Sequence, residues 1–176
     1  MHSALRSLAL ALPLLASSSA LAGPAPAASA PSIVEVAQSD GRFTTLVAAL
    51  RAADLVPALS GPGPLTVFAP TDEAFARLPK GTVEGLLRPE RRGDLMRVLT
   101  YHVVPGRMTA ADLARAVKEG GGQASLKTVE GEPLTVTRKG STLMVEDAKG
   151  GMAKVTIADV MQSNGVIHVV NKVLMP

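Results

Sequence analysis

The sequence predicts an α+β fold, with helices gathered on one side of a twisted sheet. Three observations point to it. Apolar residues recur at helical spacing through most of residues 32–120, whereas residues 124–173 break into short strand-like segments separated by glycine turns. Hydrophobic residues make up 47% of the chain, which suits a folded domain rather than a disordered one. Aromatics are only 2%, with no Trp and no Cys, so Val, Leu, Ile, Ala and Met must fill the core without help from disulfides.

Residues 1–22 read as a signal peptide. Arg6 is the only charge, Leu8 opens a short apolar run, and Ala20-Leu21-Ala22 has the small-x-small pattern cut by signal peptidase, which places cleavage after Ala22. The run is shorter than the about 20 apolar residues that span a bilayer. It is followed by no Cys, so a lipoprotein anchor is excluded. Residues 23–31, Gly-Pro-Ala-Pro-Ala-Ala-Ser-Ala-Pro, are a linker that cannot build a core. Residues 32–176 form one domain, long enough to bury a sizeable interior.

Ser32 caps a first helix over 32–38, Asp40-Gly41 turns the chain, and Phe43, Leu46, Val47 and Leu50 mark a second helix over 43–53. A short helical turn covers 54–59 before Ser60-Gly61-Pro62-Gly63-Pro64 interrupts. Residues 65–69 form a strand ended by Pro70. Thr71 caps the next helix, Asp72 and Glu73 sit in its first turn, and Ala74, Phe75 and Leu78 face inward. Thr82 caps a short helix to Leu87, and Pro89 occupies the first turn of a helix whose apolar face is Leu95, Val98 and Leu99.

β character returns over 101–104, and Pro105-Gly106 turns the chain. Thr109 to Asp112 has capping-box spacing, opening a helix through Leu113, Ala116 and Val117. Segments 124–129, 134–138, 142–146, 155–160 and 166–173 then form an antiparallel meander. Alternation fails over 166–170, which predicts a strand buried on both faces.

Two segments carry more than generic patterning: Leu65-Thr-Val-Phe-Ala-Pro-Thr-Asp-Glu-Ala-Phe-Ala-Arg-Leu-Pro79 and Ser163-Asn-Gly-Val-Ile-His-Val-Val-Asn-Lys-Val-Leu-Met-Pro176, with Tyr101-His102-Val103-Val104-Pro105-Gly106 between them. In order and spacing they resemble the signature segments of fasciclin-like domains across essentially all of residues 32–176. Asn171 and Met175 depart from the common acid and Leu without breaking the apolar pattern. The resemblance implies a wedge-shaped β-sandwich with helices packed along one side, and a secreted or surface-attached role in adhesion. It implies no enzymatic activity and no general cofactor. With the leader, the missing Cys and the richness in Ala and Arg, it points to a bacterial, single-domain, exported member.

The same resemblance marks Thr71, Asp72, Phe75, His102, Gly165 and His168 as structural motif residues. It marks Tyr101 and His102, with nearby Arg107, as candidate partner contacts, because the Tyr-His pair resembles a segment linked to integrin contact in animal members. Asp72 or the Thr71 hydroxyl is expected to bond the His102 imidazole. His168, inside an apolar run, is expected to be buried with a hydrogen-bond partner.

The net charge of +3 falls to +2 once Arg6 is removed, and no dense basic run with stacking aromatics exists, which excludes a nucleic-acid partner. No nucleophile-elbow motif and no metal-ligand spacing is visible, so no catalytic, cofactor or metal residue is assigned. The function predicted is a secreted or periplasmic binding or adhesion module whose partner is a protein, polysaccharide or cell-surface component. Its expected contact surfaces are the edge over 101–107 and the helix over 112–118. The runner-up is a carrier of a small apolar ligand, with Met144, Met152 and Met161 as adaptable lining; a hydrolase comes last.

Overall fold

The protein is described by a computed structural model over residues 30–176, so the leader and residues 23–29 of the linker lie outside the described residues. The first half runs α1 (Ile33–Ser39), α2 (Thr44–Ala52), α3 (Val56–Ser60), β1 (Leu65–Pro70), α4 (Asp72–Ala76), α5 (Thr82–Leu86), a 3-10 turn (Pro89–Arg91), α6 (Arg92–Tyr101) and β2 (Val103–Pro105). The second half is α7 (Ala110–Glu119), β3 (Gln123–Lys127), β4 (Pro133–Lys139), β5 (Thr142–Glu146), β6 (Met152–Gln162) and β7 (Gly165–Val170).

The caps explain most helix starts. Ser32 and Thr109 form reciprocal capping boxes with Glu35 and Asp112, and Thr71 accepts from the Ala74 amide. α5 differs from expectation: Gly81, at φ 82°, is its cap, and Thr82 is already its first helical residue. The left-handed turn there needs glycine, and it leaves the Thr82 side chain no capping role.

The strands lie in the order β2-β1-β7-β6-β5-β4-β3. From β3 to β7 this is the expected antiparallel meander, but β1 joins it in parallel with β7, in a register running from Leu65↔Gly165 to Pro70↔Val170. β6 belongs to both halves of the sheet. Residues 152–154 pair with β5 and residues 155–162 with β7, with register shifts on either side of Ile157. Such irregularities bend a strand and increase its twist. The sheet therefore folds over on itself as a wedge, and the Val129 amide after β3 donates to the Val103 carbonyl of β2 at 2.8 Å.

Two cores result. Phe68, Leu113, Leu134, Val145, Val170 and Leu174 fill the interior of the wedge. Ile33, Phe43, Leu46, Leu99, Ile167 and Val169 fill the layer between the helices and the outer face of β1 and β7. β1 and β7 alternate between the two cores and are buried on both faces, as the apolar run 166–170 predicted. β1 and β7 also approach closely at Gly165, where a Cβ would run into the Leu65 carbonyl.

Candidate functional site

The motif residues do not assemble into one reactive centre. Thr71 is spent on the cap of α4, its Oγ1 accepting from Ala74 N at 3.3 Å. The Asp72 carboxylate reaches across to α2 and accepts from the amides of Thr44, at 3.2 Å, and Thr45, at 2.7 Å. α2 has no cap of its own, because Phe43 occupies the cap position and contributes no side-chain bond. A carboxylate from the neighbouring helix supplies what the local sequence lacks and adds a favourable charge at the helix N-terminus. Phe75 is buried in the helical core.

The expected bond from Thr71 or Asp72 to His102 is therefore not formed. The His102 ring spans two backbone groups instead: Nδ1 lies 2.7 Å from the Val98 carbonyl, and Nε2 accepts from Leu174 N at 3.0 Å. An acceptor at one nitrogen and a donor at the other fix the neutral, Nδ1-protonated tautomer. Burial pushes the ring down to about 4, only partly opposed by the Val98 carbonyl and the Asp147 carboxylate.

Tyr101 also departs from expectation, as the last residue of α6 rather than the start of a strand. That position carries its phenol through the wedge interior, where the hydroxyl donates to the Pro133 carbonyl at 3.1 Å and accepts from Ala148 N at 2.9 Å. Burial raises its pKa. With Tyr101 wholly buried and His102 2% exposed, neither side chain presents itself to a partner in the folded domain. Of the three candidate contacts, only Arg107 is exposed.

His168 is buried as expected. Its Nε2 donates to the Met108 carbonyl at 2.8 Å, Nδ1 faces Asp159 N at 3.5 Å, and the ring stacks on Phe68 with centroids 5.6 Å apart. Desolvation lowers its pKa.

Several polar anchors were missed by sequence reasoning. Thr66 Oγ1 donates to the Gly106 carbonyl at 2.7 Å and accepts from Met108 N at 2.9 Å, so Thr66 and His168 hold the same loop. Asn164 accepts from Ile33 N at 3.1 Å and donates to the carbonyls of Leu59, at 2.8 Å, and Gly61, at 3.1 Å. Only the turn signal of Asn164-Gly165 was visible in advance. Among the described residues, no group of three or more His, Cys, Asp or Glu is placed to hold a metal ion. Both ring nitrogens of His102 and His168 face backbone groups, which leaves neither free to serve as a general base.

Two surface features lie beside the β2 edge. An apolar cleft of about 110 Å³ is lined by Leu55, Leu59, Leu65, Leu99, Val103 and Val129, among others. Val129 is 51% exposed at its lip, and Met96, 38% exposed, lies one helical turn before Thr100 of the lining. A second, open groove of about 770 Å³ adjoins it, lined by residues 60–64, Arg107, Ser163 and Asn164. α3 contributes to the first, and its last residue Ser60 with the loop after it to the second, whose lining mixes prolines and glycines with polar groups and one cation, Arg107. Met152 and Met161 are exposed elsewhere, and none of Met144, Met152 and Met161 lines the cleft.

Comparison with known proteins agrees with this architecture. A family model described as the fasciclin domain matches residues 41–176. Protein sll1483 of Synechocystis sp. is 48% identical over 90% of this chain and 81% of its own length. Transforming growth factor-beta-induced protein ig-h3 of Sus scrofa is 36% identical over 82% of this chain, which spans only 19% of that longer protein. Among solved structures, the FAS1 domain pair of the insect cell adhesion molecule Fasciclin I superimposes with a TM-score of 0.50 at 23% identity, covering 80% of this chain and 43% of that one.

Proposed function

Because this chain belongs to the fasciclin-domain family, we propose that it is an exported, non-enzymatic binding module that contacts a protein, glycan or cell-surface partner through the face beside β2. The observation that carries this reading is the apolar cleft and the adjoining open groove of mixed lining, with Val129 and Arg107 exposed on them. An aliphatic pocket beside a more open surface that carries polar groups and a cation follows the layout of an interface core with its rim. A fold held by satisfied polar anchors supplies the rigid frame. Kinship with a cell adhesion molecule supports the same class of function.

The test is capture of envelope proteins and glycans by the purified domain, with Val129→Asp and Arg107→Glu variants beside it. Loss of capture in the variants at unchanged thermal stability supports the face. Undiminished capture by both overturns it, and failure to retain any protein or glycan overturns the binding-module reading.

The cleft also gives a carrier of a small apolar ligand its one supporting observation. Its volume of about 110 Å³ is below the roughly 150 Å³ of an apolar cavity that accepts benzene. A short aliphatic segment fits and a fused ring system does not. Solvent extraction of the purified protein followed by mass spectrometry decides the matter: a stoichiometric apolar compound favours the carrier, and a clean extract removes it. Export itself rests on the leader over 1–22, and N-terminal sequencing of the mature protein is expected to begin at Gly23.

A further inference from the structure

After β7 the chain bends at Asn171 and Lys172 and continues without regular secondary structure, with Val173 and Leu174 buried. Val173 packs into the helical core and Leu174 into the wedge interior, so this short stretch stitches the two cores together. Asn171 ties its upstream end to β6, donating to the Lys154 carbonyl and accepting from the Lys154 amide. The next attachments differ in kind. Leu174 N donates to His102 Nε2 at 3.0 Å, and Met175 N donates to Asp147 Oδ2 at 3.2 Å. Two successive amides are thus held by two side-chain acceptors, and the imidazole nitrogen ceases to accept when it takes up a proton.

We propose that this arrangement makes residues 172–176 an acid-released strap: protonation of the His102 ring detaches Leu174 and Met175 while the sheet and helices stay folded, uncovering the apolar seam between the two cores.

A protonated ring carries hydrogens on both nitrogens. Nδ1–H keeps its bond to the Val98 carbonyl within α6, but Nε2–H then points at the Leu174 N–H, donor against donor. The ring is 2% exposed, so the new charge needs water. On one side of the ring stands α6, a helix with its own backbone ladder. On the other stands the strap, which has no backbone ladder of its own and is held by a few bonds and by the buried side chains of Val173 and Leu174.

The charged groups around the strap set the direction. Asp147, in the turn after β5, acts on the ring and favours the cation without outweighing burial. Its other oxygen is occupied by the amides of Lys149 and Gly151. Tyr101 turns its hydroxyl to Pro133 and Ala148. Asp94 and Arg97 of α6 and Lys149 line the open groove of about 230 Å³ beside Met175.

The sign follows from the buried ring's preference for neutrality. The strap is closed near neutral pH, and its opening becomes easier as pH falls from 6.5, the ordinary histidine value, towards about 4. Over that interval the opening equilibrium is expected to rise by up to roughly 300-fold, since each pKa unit is a factor of about ten.

The experiment is amide hydrogen exchange on the protein at pH 7 and pH 4, each rate referred to its intrinsic value. Protection at Leu174 and Met175 is expected to fall by about two orders of magnitude and to stay well below that at Leu113 and Val136, in the wedge interior, which report the global unfolding that acid also eases. Equal protection at all four at pH 4 overturns the proposal in favour of global unfolding, and unchanged protection at Leu174 overturns it outright. His102→Gln retains an acceptor for Leu174 that does not titrate, and it is expected to abolish the pH dependence at the strap. Should that variant not fold, the nitrogen shifts of the His102 ring in the unaltered protein supply the check: their midpoint must coincide with the midpoint of Leu174 exchange, and a mismatch refutes the mechanism.

Discussion

Replacing Thr66 by Val keeps the shape of a wholly buried strand residue and removes only its hydroxyl. That hydroxyl donates to Gly106 and accepts from Met108, so the substitution strands one carbonyl and one amide of the loop after β2. An unsatisfied buried group costs about 1–3 kcal/mol. The loop borders exposed Arg107, so water recovers part of the loss, and the two groups together should cost about 2–3 kcal/mol. For a domain of this size that is a drop in melting temperature of roughly 8 °C. Thr66→Ser keeps both bonds and gives up one methyl group, for about 1 kcal/mol. Urea unfolding of the three proteins should shift the midpoint in the order Val below Ser below the unaltered chain, at constant m value. A Val variant within about 0.5 kcal/mol of the unaltered protein, or a Ser variant less stable than the Val variant, would refute the assignment of Thr66 as the loop's anchor.

Asp72→Ala should cost about 1–2 kcal/mol by leaving the first amides of α2 uncapped, read as a lower urea midpoint. Gly165→Ala should cost at least about 2 kcal/mol, because the new methyl meets the Leu65 carbonyl; thermal denaturation checks it. Stability should fall as pH drops from 6.5, because both buried histidines have folded-state pKa values below their unfolded ones; His102, reaching about 4, contributes about 3 kcal/mol of the loss by itself. Urea midpoints at pH 7, 5.5 and 4 measure that decline, and His168→Gln should make it shallower.

Much of the domain was legible because its local signals agree with its tertiary structure. The Thr109–Asp112 capping box, the boundaries of β5 and the two-faced burial of β7 all follow from short-range pattern. The misreadings arose where a distant group decides. Tyr101 has a strand-forming side chain, yet α6 extends to include it because its hydroxyl finds Pro133 and Ala148 across the wedge. The parallel pairing of β1 with β7 joins segments about a hundred residues apart, which no periodicity encodes. For the candidate site the family motifs marked the right segments but not their roles. Asp72 serves α2 rather than His102, and Thr66, inside the first motif, passed as an ordinary strand residue because its partners lie forty residues downstream.

The placement of β7 has a mechanical consequence. The chain enters the domain where the Pro31 carbonyl meets Ser163 N, just before β7 begins at Gly165, and Asn171 lies at the strand's other end. Tension applied between residues 31 and 171 therefore runs along β7 itself. It loads the six register pairs with β1 in shear, together with the ladder to β6, instead of peeling them apart one by one. A domain placed under traction between a surface and a partner would resist through its most buried strand, where water has least access to replace a broken bond.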